Sequence, residues 1–227
     1  MEKKSVPYIP QVELKKHAGE VKTQLRVSDT WTLRENIFWD FLEARIPKEA
    51  RILDVGTGPG TLLRQLESRG WHNLKGLDIA DFMDADLKPK FELAVTDLDF
   101  EAAPFAANSF DLVFALEVIE HLENPFHFIR EMSRILDDGG YCICSAPNPF
   151  HIWNKVKFLL KGNLQHWHVY NDHITFMTKD VFKKTVLRYF SIEEIKYRWG
   201  YLPYFPKINM PRTELFGRNV CYFLKKI

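Results

Sequence analysis

Residues 51–60 read RILDVGTGPG, a short apolar run followed by three glycines at alternate positions. The run over 51–55 predicts a β-strand, and the stretch 61–69 predicts an amphipathic helix that ends at Gly70. Glycines at such a junction permit positive φ angles and let a ligand approach the backbone, because no Cβ intervenes. The N-terminus of the helix offers free N–H groups and a positive dipole end to a carboxylate or phosphate. The segment therefore predicts a ligand-binding loop between a strand and a helix.

The alternation of strands and helices continues beyond this loop to about residue 147. Further strands are predicted over 74–78, 93–96, 110–116 and 141–146. A helix is predicted over 125–136, where Pro125 suits the first position and Gly139-Gly140 follow as a stop signal. Regular alternation of this kind predicts an α/β fold with a doubly wound, mostly parallel sheet.

The N-terminal part of the chain departs from this pattern. Residues 1–30 are polar and aperiodic, which predicts an N-terminal arm ahead of a single domain over 31–227. Thr32 and Glu35 then form a capping-box pattern, which predicts a helix that ends near Pro47.

Two inner segments also depart from the alternation of strands and helices. Aromatic, Pro, His and Asn residues predict cap-like insertions at about 147–177 and 198–217. After the first insertion, Thr178 is the predicted cap of a helix. Two last strands are predicted over 192–197 and 219–224.

The composition excludes several classes of protein. Of the 227 residues, 46% are hydrophobic and 27% charged, as in globular rather than disordered or collagen-like chains. Lys+Arg minus Asp+Glu is 31 − 30 = +1, so no overall charge attracts the protein to nucleic acid or a membrane. No apolar run approaches the roughly 18 residues of a membrane span, and the N-terminus lacks the apolar core of a secretory signal. Three cysteines are too few for a disulfide scaffold, which favours reduced thiols and a cytoplasmic location.

The spacing of the glycines and of two later acids restricts the chemical class of the ligand. The loop is G-x-G-x-G with Pro59 inside it, and Thr61 replaces the third glycine of the dinucleotide pattern, which disfavours a pyrophosphate. Asp78 ends the second strand 22 residues after Gly56 (78 − 56), where an acid accepts ribose hydroxyls. Asp97 follows the third strand, where it could accept from the exocyclic amine of an adenine. Each acid alone is equally consistent with a solvated strand end, but together they predict an adenosyl ligand without phosphates.

Five motifs, in this order, carry a resemblance to a known family: LDVGTGPG, GLDIA, VTDLDF, FDLVFALEVIEHLENP and LDDGGYCICSAPN. Over roughly residues 50–150 they resemble the class I S-adenosylmethionine-dependent methyltransferases. The resemblance implies a Rossmann-like, mostly parallel seven-stranded sheet with an antiparallel strand at its C-terminal edge, and S-adenosylmethionine as the cofactor. The main competing interpretation is an NAD-dependent oxidoreductase. This sequence lacks the third glycine of the dinucleotide pattern and a recognisable hydride-site pattern.

The resemblance also implies roles for individual residues. The loop glycines would bound the methionine end of the cofactor, Asp78 would hold its ribose, and Asp97 with Leu98 would hold its adenine. Glu117 would line the pocket beside the sulfonium. The complete set of implied cofactor-binding residues is Asp54, Gly56, Thr57, Gly58, Gly60, Asp78, Ile79, Asp97, Leu98 and Glu117.

His121, in the EVIEHL segment after the fourth strand, is the candidate catalytic base. Alignment supplies most of the catalysis of methyl transfer, so a base matters only when the acceptor loses a proton. A neutral histidine that packs the turn is the structural alternative. A metal site is a further alternative for His121. Glu117, Glu120 and His121 stand at i, i+3 and i+4 and would share one face of a helical turn. His173 could add a ligand, which looks like the arrangement of small-RNA 3′-end 2′-O-methyltransferases and, more loosely, of ubiquinone-pathway O-methyltransferases.

The two insertions carry clusters of aromatic and histidine side chains. These are His166, Trp167, His168, Tyr170 and His173 in the first, and Trp199, Tyr201, Tyr204 and Phe205 in the second. Such side chains could cover an acceptor site or pack on the sheet.

The expected function is S-adenosylmethionine-dependent methylation of a small-molecule acceptor, on oxygen if His121 acts as a base. One alternative is a metal-assisted RNA 2′-O-methyltransferase, although a net charge of +1 makes nucleic acid an unfavoured partner. The other is a non-catalytic scaffold protein that has retained the cofactor-binding fold.

Overall fold

The computed structural model describes residues 37–167, 172–198, 201–202 and 205–227, with the backbone alone at 201–202 and 205–209. The arm predicted over 1–30 and the capping box of Thr32 and Glu35 therefore lie outside the described residues.

The described elements follow the predicted alternation. The helices are α1 (Trp39–Arg45), α2 (Thr61–Ser68), α3 (Pro125–Ile135), α4 (Ile152–Lys161) and α5 (Lys179–Thr185), with 3₁₀ turns at Ile119–His121 and Val186–Arg188. The strands are β1 (Ile52–Val55), β2 (Leu74–Asp78), β3 (Glu92–Val95), β4 (Phe110–Leu116), β5 (Leu136–Pro147), β6 (Phe190–Tyr197), β7 (Tyr201–Leu202), β8 (Phe205–Asn209) and β9 (Asn219–Lys226).

Seven strands form one sheet in the order β3-β2-β1-β4-β5-β9-β6. Strands β1 to β5 pair in parallel, whereas β9 is antiparallel to both of its neighbours, β5 and β6. The predicted Rossmann-like sheet is confirmed, and β9 lies one position inside the edge that β6 forms. The strand order reverses between β1 and β4, and ligands bind such sheets beyond the carboxyl ends of the strands at this point.

Two apolar clusters cover the faces of the sheet, so its central strands are buried on both sides. Ile52 packs in the cluster that includes Leu42 of α1 and Leu63 of α2. The next residue, Leu53, packs in the opposite cluster with Met132 of α3. Because adjacent side chains of a strand point to opposite faces, a continuous apolar run in β1 is what a doubly covered sheet requires.

Gly139 and Gly140 lie inside β5 and do not end the preceding helix, so this prediction was wrong. α3 stops earlier because Leu136 already pairs with Phe110 of β4. The register shifts after that pair, and Gly139 adopts a φ of 75° in the irregular stretch. A Cβ on Gly140 would lie 2.9 Å from the carbonyl oxygen of Asp137, so the glycine pair accommodates an irregularity in the strand.

The first predicted insertion contains α4, and the second contains the small antiparallel sheet of β7 and β8. The predicted cap at Thr178 is confirmed, because its hydroxyl accepts from the N–H of Val181 at 3.3 Å. Among the described residues, no helix has both the length and the apolar character that crossing a membrane demands.

Candidate active site

The glycine loop joins β1 to α2 with positive φ angles at its glycines, among them 52° at Gly58 and 88° at Gly60. A Cβ built on Gly60 would meet Leu87 Cδ1 at 2.7 Å, so a side chain there would force the buried Leu87 to shift. A Cβ built on Gly58 would have no atom within 4 Å. Space therefore lies open beside the backbone of Gly58, where the sequence predicts a ligand.

Thr57 has a structural role in the glycine loop. Its side chain is buried, and its hydroxyl donates to the Asp54 carbonyl oxygen at 2.5 Å and accepts from the Leu77 N–H at 3.0 Å. A Cβ on Gly76 of β2 would lie 2.7 Å from that hydroxyl oxygen, so the Thr57 side chain fits there because position 76 is a glycine. The Thr57 side chain thus ties the end of β1 to β2.

Asp78 ends β2 directly beside this loop. Its Oδ2 accepts from the Gly58 N–H at 2.7 Å, and its Oδ1 accepts from the Ile79 N–H at 2.7 Å. Burial raises the pKa of Asp78 to about 6, against the opposing effect of these backbone hydrogen bonds. An ionised carboxylate has about four lone-pair sites, so both oxygens can accept further hydrogen bonds.

Asp97 and Leu98 follow β3 and are buried at the same end of the sheet. Asp97 Oδ1 accepts from the Asp99 N–H at 3.1 Å. Asp99 in turn accepts from the N–H of Asn124, the residue that caps α3, at 2.7 Å. Asp99 was not identified from the sequence, although the D-x-D spacing with Asp97 marks it. This chain of contacts holds the loop after β3 against the start of α3.

Glu117 has a left-handed backbone, with a φ of 56°. Its Oε1 accepts from the Ser145 hydroxyl at 2.7 Å, and its Oε2 accepts from the Asn219 side-chain amide at 2.7 Å. Burial raises the pKa of Glu117, against the effect of these hydrogen bonds. Ser145 of β5 and Asn219 of β9 were not identified from the sequence, because nothing local to either residue marks it as a partner.

The prediction that Glu117, Glu120 and His121 share one face of a helical turn was wrong. The helical part of the segment is only the 3₁₀ turn Ile119–His121, because the left-handed Glu117 backbone interrupts it. Glu120, His121 and His173 do come together, with ligand atoms that all lie within 4.8 Å of one another. The Glu117 carboxylate binds Ser145 and Asn219 instead.

The Glu120 side chain is 1% exposed, and neither of its carboxylate oxygens has a hydrogen-bond partner among the described residues. Burial, with the Glu117 carboxylate nearby, raises the pKa of Glu120 well above its usual value. Burial, with His121 nearby, lowers the pKa of His173 to about 4, and its Nδ1 is buried without a described partner. The Glu120 carboxyl oxygens and the imidazole nitrogens of His121 and His173 together form a donor set that fits a divalent cation.

His121 also has an acidic neighbour, since its Nδ1 lies 3.2 Å from Asp172 Oδ2. The segment that carries Asp172 is fixed to the 3₁₀ turn, because the N–H groups of Ile174 and Thr175 both donate to the Glu120 carbonyl oxygen. A partner at Nδ1 selects the tautomer of an imidazole and leaves Nε2 as its hydrogen-bond acceptor. Asp172 was not identified from the sequence as a partner of His121.

Part of the first aromatic cluster meets this histidine pair. The Trp167 and His173 rings have centroids 6.1 Å apart, and Trp167 Nε1 donates to the Thr175 carbonyl oxygen at 2.8 Å. His168, Tyr170, Trp199 and Tyr204, and the side chains of Tyr201 and Phe205, lie outside the described residues.

A pocket lies at the ends of β4, β5 and β9. Apolar and polar side chains both line it: Ile37, Phe38, Leu116, Glu117, Ser145, Arg198, Asn219, Val220 and Cys221. The Glu117 carboxylate and its two donors thus form part of the wall of a cavity.

A family model described as a methyltransferase domain matches residues 33–189. The ubiquinone biosynthesis O-methyltransferase of Neisseria meningitidis serogroup C (strain 053442) is 25% identical over 166 residues, and the match covers 63% of this chain and 70% of that protein. The protein of the same name from Maricaulis maris (strain MCS10) is 31% identical over 108 residues, covering 43% of this chain and 41% of that protein.

A solved structure of a SAM-dependent protein from Thermotoga maritima, described as a possible histamine N-methyltransferase, superposes with a TM-score of 0.65. The match covers 96% of this chain and 100% of that chain at 18% sequence identity. At that identity the likeness concerns the fold alone.

Proposed function

Because this chain belongs to the methyltransferase domain family and is an S-adenosylmethionine-dependent methyltransferase, we propose that it methylates an oxygen of a small-molecule acceptor. The observation that carries the choice of oxygen is the 3.2 Å contact between His121 Nδ1 and Asp172 Oδ2. The ubiquinone O-methyltransferase relatives, at 25–31% identity, support the same choice.

The residues of the glycine loop and its neighbours are the proposed cofactor site. S-adenosylmethionine supplies a methyl group activated by a sulfonium. The open backbone of Gly58 is proposed to border the methionine part, and the oxygens of Asp78 to accept from the ribose hydroxyls. Asp97 and Leu98 are proposed to bound the adenine.

His121 is proposed to act as the general base. A hydroxyl acceptor loses its proton when its oxygen gains a methyl group, and an imidazole is suited to accept that proton near neutral pH. With its Nδ1–H directed to Asp172, His121 would accept the proton at Nε2. Asp172 is then proposed as a positioning residue, because its contact with Nδ1 sets the tautomer of His121.

The pocket beside Glu117 is the proposed acceptor site. Phe38 and Leu116 supply apolar walls. Ser145 and Asn219 hold the Glu117 carboxylate in a fixed orientation. The cavity volume of about 20 Å³ is room for a group of about the size of a water molecule, so the pocket is proposed to take the polar group of the acceptor.

The test measures S-adenosylhomocysteine formation with phenols, alcohols and the matching amines. His121→Gln is expected to lower turnover about 100-fold or more while leaving S-adenosylhomocysteine affinity unchanged. His127→Gln is the matched control, because this histidine contacts the Glu101 carbonyl oxygen away from the His121 cluster. Normal turnover of His121→Gln, or methylation of the amines alone, would contradict the proposal.

A second candidate function is binding of a divalent cation by Glu120, His121 and His173. It is favoured by the Glu120 oxygens, which have no hydrogen-bond partner in the described part of the chain. A cation ligated there would act as a Lewis acid on an acceptor oxygen. His121 cannot ligate a metal and accept a proton through the same nitrogen, so the two roles of Nε2 exclude each other.

Metal content and calorimetry separate these candidates. The metal role predicts that purified protein binds Mg²⁺, Mn²⁺ or Zn²⁺, and that Glu120→Gln and His173→Gln both lose this binding. It also predicts that Mg²⁺ changes the heat of S-adenosylhomocysteine titration into metal-stripped protein. Turnover that withstands chelation, with no metal binding by the parent protein, would leave His121 in the role of base.

A further inference from the structure

The last turn of α4 exposes three consecutive large apolar side chains. Phe158, Leu159 and Leu160 are 60%, 85% and 73% exposed, respectively. Among the residues that the structure describes, no other run of three adjacent large hydrophobic residues is exposed in this way. Contiguous apolar surface of this kind marks an interaction site, because water disfavours it.

The apolar residues of α4 follow the period of a helix. Ile152, Val156, Leu159 and Leu160 stand at i, i+4, i+7 and i+8, so they share one face. Lysines border this face at positions 155 and 157, and Lys161 lies at the end of the helix. The helix is therefore amphipathic, with cations beside an apolar face that is exposed at its C-terminal end.

The sequence segment that contains α4 carries charge of one sign. From Gly139 to Asn171 the chain contains no Asp or Glu, while it carries three lysines, all of them in α4. The near-neutral net charge of the chain therefore conceals a cationic segment of 33 residues (171 − 139 + 1). Such a segment complements a surface that bears negative charge.

The base of α4 is firmly attached to the sheet. Asn154 is buried, donates to the Asn148 carbonyl oxygen at 2.8 Å and accepts from the Gln165 N–H at 2.7 Å. Asn148 follows β5 and donates to the Gly217 carbonyl oxygen at 2.7 Å. These buried contacts fix the start of the helix, so the exposed end is held at a defined place beyond the carboxyl edge of the sheet.

We propose that α4 docks this protein onto an anionic lipid membrane, with Leu159 and Leu160 in the interface and the three lysines at the headgroups. Apolar burial and attraction to anionic lipids together bind amphipathic helices of this type in the plane of a membrane. A second copy of the chain fits less well, because a symmetric contact would bring six lysines together with no acid in the segment. Three exposed side chains also fall short of the roughly 800 Å² per partner of a standard protein interface.

Docking through α4 has a consequence for the candidate active site. Because α4 follows directly from the carboxyl end of β5, this docking turns the edge of the sheet that carries Ser145 toward the lipid. An acceptor with an apolar tail could then enter from the bilayer. This last step rests on the proposed function, whereas the docking itself does not.

The test measures binding of the full chain to vesicles by flotation, with phosphatidylcholine alone or mixed with phosphatidylglycerol. We expect binding to the mixed vesicles and at least tenfold weaker binding of Leu159→Asp/Leu160→Asp. Replacing Lys155, Lys157 and Lys161 by Gln is expected to weaken binding about fivefold per lysine. Ile227→Asp is the matched control, because Ile227 is 72% exposed and lies outside α4.

Each variant is checked for S-adenosylhomocysteine binding, which reports on the fold independently of turnover and of lipid. Equal binding of parent and double-Asp variant to the mixed vesicles would overturn the proposal. Equal binding of the parent to neutral and anionic vesicles would overturn the part played by the lysines. A dimer in solution that the double-Asp substitution dissociates, without vesicle binding by the parent, would assign the surface to a second copy instead.

Discussion

The backbone N–H of Gly58 donates to Asp78 Oδ2 at 2.7 Å and so joins the glycine loop to the end of β2. The loop and the acid belong to different strand ends that lie side by side, because β1 and β2 pair in parallel. The carboxylate therefore orients the same backbone that borders the open space at Gly58. Any ligand that uses both features depends on this one hydrogen bond.

Replacing Asp78 by Ala is expected to weaken S-adenosylhomocysteine binding by about 1–3 kcal/mol. The reason is the loss of hydrogen bonds to a charged acceptor, together with the release of the Gly58 N–H. Isothermal titration calorimetry measures the effect. Asp81→Ala serves as the control, because it removes an exposed carboxylate that pairs with Lys88. Unchanged affinity in Asp78→Ala would disprove the ribose assignment.

The pKa of Asp78, about 6 in the folded protein against an ordinary value of 3.8, predicts a pH dependence of stability. Between these values the folded state binds more protons than the unfolded state, so the free energy of unfolding falls as pH rises. The loss amounts to about 3 kcal/mol for a shift of this size and is complete above pH 6. Urea unfolding at several pH values would detect it. Asp78→Asn should lose this part of the pH dependence, and the same slope in both proteins would refute the prediction.

The same titration is expected to affect cofactor affinity. An ionised Asp78 accepts from ribose hydroxyls better than a protonated one, so S-adenosylhomocysteine affinity should fall as pH drops below about 6. Calorimetric titrations at pH 5 and pH 7.5 would measure the change. Asp78→Asn should show weaker binding with little pH dependence in this range. Parent protein that binds equally at both pH values would count against a role for the ionised carboxylate.

Gly58→Ala is expected to impair binding more than folding. Gly58 and Gly162 both have left-handed backbones, with φ angles of 52° and 65°, and neither would place a Cβ within 4 Å of another atom. The strain of Ala should therefore cost about 1–2 kcal/mol of stability at both positions. Only Gly58→Ala should also reduce S-adenosylhomocysteine affinity, which makes Gly162→Ala the matched control. Equal affinities of the two variants would place the ligand away from Gly58.

Asn219→Ala is expected to lower the free energy of unfolding by about 1–3 kcal/mol, because the half-buried Glu117 Oε2 would lose its donor. Thermal unfolding, with a loss of about 2–4 °C for each kcal/mol, reports the change. The double-mutant cycle with Glu117→Gln isolates the contact, since a coupled pair gives non-additive losses. Strictly additive losses would show that the two side chains do not stabilise each other.

The glycine loop, β1, β2 and the parallel order of the sheet could be predicted from the sequence, because their signals are local. The apolar run of β1, the positive-φ glycines and the strand–helix alternation each need only a few neighbouring residues. The proximity of Asp78 to Gly58 then follows from the rules of parallel sheets. The extent of β5 could not be predicted, because Leu136 joins the strand through a partner in β4 and not through its own neighbours.

By itself, the sequence determined the class of fold and the glycine loop between β1 and α2, since both depend on short-range spacing. Only the tertiary structure decided which acids and histidines of the EVIEHL region act together. Glu117 turns to Ser145 and Asn219, which lie 28 and 102 residues away along the chain, because its backbone is left-handed. Glu120 meets His173 because the chain returns to the turn through the Ile174 N–H, which donates to the Glu120 carbonyl oxygen at 2.8 Å. Contacts of this kind depend on where distant strands and loops meet, which no local pattern of residues specifies.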